Sequence, residues 1–123
     1  MAHENRAHAV LSASASKRWL NCPPSAKLNA EIPDIITTEY AKEGTDAHEL
    51  AEYKVNQLLG IKADNPAENL DYYNQEMEDC TDSYAQYIAE QMSQYSSPVV
   101  MVEQRLDFSR YVPGGFGTGD CII

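Results

Sequence analysis

The chain has 123 residues, a net charge of −10 and nine basic residues, a length that suits one small domain with a thin core. Its 43% hydrophobic and 23% charged content is globular rather than disordered composition. The scattered basic residues argue against tight nonspecific nucleic-acid binding by charge alone, and no apolar run approaches the roughly 20 residues of a membrane span.

Along the chain, "LSASASKRWLN" predicts a short helix reaching Asn21, with Ser12 or Ser14 as N-cap and Trp19 and Leu20 as its apolar contacts. Pro23 and Pro24 are read as its stop, and Ser25 as the cap of a short turn through Leu28. "AEIPDIITTEYA" reads as a loop with Pro33 as breaker and Thr37 or Thr38 as the next N-cap. A second helix is expected from about Glu39 to Leu59, with Gly60 just past its end. Its apolar positions Tyr40, Ala47, Leu50, Ala51, Val55, Leu58 and Leu59 recur at steps of three and four.

A polar connector follows, then the longest predicted helix, Leu70 to Tyr95. Tyr73, Met77, Cys80, Tyr84, Ile88, Met92 and Tyr95 form its expected core stripe, with Glu76, Asp79, Asp82, Glu90 and Gln94 opposite. "VVMVEQRLDF" alternates and is rich in β-branched residues, so a strand is expected from Val99 to Phe108. "SRYVPGG" is a turn, and "FGTGDCII" a second strand reaching Ile123. The class is therefore α+β. Because the sequence stops inside an apolar strand, residues 1–123 are expected to form one domain that is an N-terminal fragment of a larger one, with residues 1–9 disordered. Cys22, Cys80 and Cys121 are odd in number and far apart, and the start "MAHENRAHAV" is polar. A reduced cytoplasmic protein without a disulfide framework is expected.

Two stretches carry residues with chemical potential. In "EGTDAHELAE", either Gly44 starts a helix that Thr45 caps, or Gly44 lies inside it to admit another backbone. His48 and Glu52 stand at i and i+4, so they either share a divalent cation or hydrogen-bond to each other. "HELAE" lacks the second histidine of a zinc-protease helix. In "GFGTGD", three glycines surround Asp120 at the start of an apolar strand, where a carboxylate needs a partner or a cation. A glycine-rich hairpin with a turn aspartate is the plainer alternative.

Taken in order, "LSASASKRWLNCPPSAKLN", "EGTDAHELAE", "VVMVEQRLDF" and "VPGGFGTGDCII" resemble the N-terminal half of the RecB-like and AddB-like nucleases of the PD-(D/E)XK superfamily. The resemblance runs from about Val10 to Ile123. It is strongest to phage- and prophage-encoded proteins carried there as a domain of unknown function. It implies a truncated nuclease-type core sheet with helical cover, and His48 and Asp120 as catalytic, metal-binding residues. Gly44, Thr45, Glu52 and Glu103 would support them. Mg²⁺ or Mn²⁺ would be the cofactor, DNA the partner of the full-length parent, and the bacterial host cytoplasm the location. Some members of that superfamily carry a 4Fe–4S cluster, for which Cys22 would be the first ligand; in this chain a small buried contact beside Trp19 is expected of it instead. No acidic-x-Lys follows Asp120, so the isolated chain is expected to be inactive. The competing expectation is a noncatalytic interaction module, with eight tyrosines and an open strand edge suited to a partner or a homodimer.

Overall fold

The structure, a computed structural model, describes residues 8–32 and 38–123. It is α+β: four helices are followed by a two-stranded antiparallel sheet. Two compact units divide the chain. One holds the N-terminal helices and residues 105–119, the tip of the hairpin; the other holds residues 37–104 and 120–123. Pro33, Thr37, His3 and most of the segment expected to be disordered lie outside the described residues.

In the first unit, α1 (Ser16–Asn21) starts later than expected and neither Ser12 nor Ser14 caps it; Ala15 is the N-cap and gives no side-chain bond. The backbone carbonyl of Ser12 instead accepts from Trp19 Nε1 at 2.9 Å. Pro24 does not merely stop α1. It opens α2 (Pro24–Ala30) at the first helical position, where its missing N–H costs nothing. Ser25 is thus inside a helix rather than capping a turn. Between Asp107 and Phe116 the turn is tied by Phe108 N–H to Gly115 O and Gly115 N–H to Val112 O. Gly115 is required there: a Cβ would sit 2.7 Å from the Phe108 ring and 2.8 Å from Val112 O.

In the second unit, α3 (Glu39–Leu58) is capped by Thr38, whose Oγ1 accepts from Ala41 N–H at 3.2 Å. Gly60 follows the helix with φ 72°. Ile61 N–H reaches Asn56 O and Gly60 N–H reaches Gln57 O, the paired bonds of a Schellman ending. A 3-10 turn at Ala67–Asn69 leads to α4 (Gln75–Met92). α4 is shorter than expected at both ends. Asn74, with extended backbone, accepts from Met77 N–H at 2.8 Å and fixes the start. Residues 70–74 are held away from the helix because Tyr72 N–H donates to Asp46 Oδ2 at 2.9 Å.

The core lies between α3 and α4: Leu50, Val55, Met77, Thr81 and Ile88 are buried. Part of the expected tyrosine stripe is therefore corrected. Tyr73 and Tyr95 lie outside α4 and are exposed, and Cys80 is exposed. Thr81 takes the buried position because its hydroxyl donates to Met77 O at 2.8 Å, which removes the penalty for burying it. Across the helices, Lys54 Nζ donates to Glu78 Oε1 at 2.8 Å, Glu78 O at 3.0 Å and Asp82 Oδ1 at 2.6 Å. The strands are β1 (Met101–Asp107) and β2 (Phe116–Ile122), each shorter than expected. Val99 is exposed and precedes β1.

Candidate metal centre

Three side chains from three elements of the second unit converge. His48 comes from the middle of α3, Glu103 from β1 and Asp120 from β2. One ligand atom from each lies within 4.8 Å of the others, and none of the three is buried. His48 Nδ1 is 3.7 Å from Asp120 Oδ1, with the side chains 61% and 57% exposed. That separation is too long for a hydrogen bond and leaves space between imidazole and carboxylate.

Helix and sheet periodicity explain two of these placements. His48 stands three and four residues before Ala51 and Glu52, and Val55 stands four and three after them, so all four share one side of α3 and line one cleft. Asp120 reaches the same cleft from β2. Glu103 is different. Val102 and Glu103 are consecutive, yet both line the cleft, which the strict two-residue alternation of a strand forbids. The break is at Glu103 itself, with φ 48°. A non-glycine residue there costs about 1–2 kcal/mol, and the twist is what turns its carboxylate inward.

The electrostatics are crowded with negative charge. Burial pushes the Glu103 carboxyl up from its ordinary value, and the charges of Asp120 and Glu52 push it further, with His48 partly opposing them. Tyr84, on the α4 wall, is raised by burial and then by Cys121, Asp120 and Glu103. Cys121 is also raised, by burial and by Asp120. The cleft has a volume of about 220 Å³. Its floor is apolar, from Ala47, Ala51, Val55 and Val102, with Thr81, Cys80 and Tyr84 on the α4 side.

The donor set suits a divalent cation. It offers one imidazole nitrogen and two carboxylates, a mixed nitrogen and oxygen set that several divalent metals accept. Around an ion with bonds of about 2.1 Å, opposite ligands stand about 4.2 Å apart. The observed ligand atoms, all within 4.8 Å of one another, span a similar distance.

Of the other residues singled out in the sequence, Glu52 lines the cleft but stands outside the three-residue cluster. Gly44 and Thr45 do not belong to the site. Both lie inside α3, so Gly44 is not its start and Thr45 is not its cap. A Cβ on Gly44 would meet nothing within 4 Å, so among the described residues no backbone approaches it. Thr45 Oγ1 donates back to Ala41 O at 2.9 Å in an exposed position. Asp46, one residue on, instead tethers Tyr72 by accepting from its N–H. Cys22 is exposed at the end of α1, not buried beside Trp19. Sequence reasoning did not find the α4 wall of the cleft; Thr81 in an otherwise acidic turn was its only signal.

Residues 8–123 match the family described as "Protein of unknown function (DUF2800)". The chain belongs to this family. No solved structure matches the chain. The match supports the expectation of a domain of unknown function over nearly the whole chain, and the family's description assigns no chemistry. No helix among the described residues is long and apolar enough to cross a membrane.

Proposed function

We propose that this DUF2800 chain carries the cation-gripping face of a Mg²⁺- or Mn²⁺-dependent DNA nuclease of the RecB-like, PD-(D/E)XK kind, from a phage- or prophage-related protein acting in the bacterial cytoplasm. The observation that supports it most is the convergence of His48, Glu103 and Asp120 on one cleft, with Glu103 held in an unfavourable backbone conformation that its inward carboxylate rationalises.

His48 offers a ring nitrogen, and Glu103 and Asp120 offer carboxylate oxygens. Their mutual repulsion, augmented by Glu52, is relieved by a cation between them. A Mg²⁺ or Mn²⁺ ion held there supplies Lewis acidity toward a phosphodiester. No lysine lines the cleft among the described residues, and Lys54 is engaged by Glu78 and Asp82. Cation binding, rather than hydrolysis, is therefore the activity expected of this chain alone.

Isothermal titration with Mn²⁺ tests the reading. One ion per chain should bind, and His48→Ala and Asp120→Asn should each weaken it about tenfold or more, the usual scale for losing a metal ligand or its support. Equal affinity in all three proteins refutes the assignment.

A second reading, a noncatalytic interaction module, is favoured by a separate observation. Tyr87 on α4 and Tyr95 and Val99 beyond it are exposed apolar or aromatic side chains. Sedimentation showing a homodimer that Tyr87→Ser disrupts would support it; a monomer at every concentration would count against it.

A further inference from the structure

We infer that the 220 Å³ cleft beside the cation ligands is a nucleoside pocket, which takes the base and part of the sugar carried by the phosphate that shares the cation. The inference rests on the cation reading above and adds to it the substrate class and the residues that select it.

Size sets the first limit. A cavity of about 150 Å³ holds a benzene ring, so this one admits a heterocycle with part of its sugar. The walls set the second. Ala47 and Ala51 keep the α3 side low, Val55 and Val102 make an apolar floor, and Tyr84 presents an aromatic ring from α4. An aromatic wall beside a small-residue wall suits a flat π-face. Polar atoms set the third. Thr81 spends its hydroxyl proton on Met77 O and Glu78 O, so its oxygen retains acceptor capacity. Tyr84, with a phenolic hydroxyl as well as its ring, lines the same wall. A base edge can hydrogen-bond to such groups, which an alkyl chain cannot do.

Charge sets the order of events. Glu52, Glu103 and Asp120 ring the mouth, so a phosphate is repelled until a cation neutralises them. Nucleotide and cation must then strengthen each other's binding by the same factor.

The test uses the whole chain at low ionic strength, with thymidine 5′-monophosphate, inorganic phosphate and hexanoate as probes. Mn²⁺ is titrated first. If wild type binds no Mn²⁺, the cation reading fails and this inference falls with it, a result read before any nucleotide is added. With Mn²⁺ bound, the nucleotide should bind at least about tenfold tighter than phosphate, since ring burial adds to the shared phosphate contact. Chelating the metal should abolish that binding. Ala51→Phe and Ala47→Leu fill the cleft and should reduce the nucleotide to the phosphate level while Mn²⁺ affinity stays within about twofold. Circular dichroism identifies a variant that has lost its fold, and the other then decides; if both are lost, the wild-type comparison decides. A nucleotide no tighter than phosphate overturns the inference. So does hexanoate binding as tightly as the nucleotide, or a nucleotide advantage that survives in both folded variants.

Discussion

Replacing Lys54 by methionine keeps the apolar stem of the side chain and removes its ammonium. In the native protein that group is 9% exposed and bonds to Glu78 Oε1, Glu78 O and Asp82 Oδ1. Bonds to charged groups contribute about 1.5–3 kcal/mol net when buried. Asp82 is 64% exposed, so its share is closer to the 0–1 kcal/mol of a surface pair. Glu78 keeps the Tyr73 hydroxyl at 2.9 Å and partial access to water. The loss is therefore about 1–2 kcal/mol at pH 7, or roughly 4–10 °C in Tm for a chain of this size. The pH dependence is specific. Lys54 and Tyr73 hold Glu78 below its ordinary 4.5, so its contribution is present above that value and fades as pH falls through the lower folded value. Burial alone would lower Lys54, but its hydrogen bonds and the nearby carboxylates raise it above 10.5. That contribution is present below 10.5 and is lost as pH rises through the folded value. Urea denaturation of both proteins should show the largest gap across neutral pH and a narrowing gap toward pH 3. A variant within about 0.3 kcal/mol of wild type at pH 7 would refute this account of the α3–α4 clamp, given the usual scatter of surface substitutions. So would a gap that does not change with acid.

Gly44→Ala should stabilise the protein by about 1 kcal/mol in the same urea assay, because helix propensity improves and the new methyl group meets no atom within 4 Å. Asn74→Ala should cost about 1 kcal/mol by removing the cap on Met77 N–H. Glu103→Gly should relieve about 1–2 kcal/mol of backbone strain and lose about 0.5–1 kcal/mol to glycine's chain entropy. Thermal melts should therefore find it as stable as wild type or slightly better, while its Mn²⁺ affinity falls about tenfold or more.

Much of the fold is legible in the residues. The class, the order of elements other than α2, the Thr38 cap and the Gly60 ending follow from capping and glycine chemistry that acts within a few residues. The boundaries of α4 were less legible. Leu70, Tyr73 and Tyr95 continue the apolar spacing, but tertiary tethering of Tyr72 by Asp46 and the Asn74 cap override it. Thr81 displaced Cys80 from the core because its hydroxyl finds acceptors one turn back in its own helix, which spacing does not reveal. At the candidate site, His48 and Asp120 were singled out by motif and resemblance, and the fold brings them together. Glu103 required more than a motif, since its inward turn depends on a backbone angle that residue type disfavours. Gly44 was misleading, because a glycine in a helix suggests a close approach and here faces open space.

Crystals grown with Mn²⁺ and measured at the manganese edge give the most direct view of the three-ligand cluster. The account predicts one anomalous peak in the α3–hairpin cleft, about 2.0–2.2 Å from a ring nitrogen of His48 and from carboxylate oxygens of Glu103 and Asp120. A fully substituted manganese site elsewhere on the chain, with these three side chains unchanged and only water between them, would contradict it.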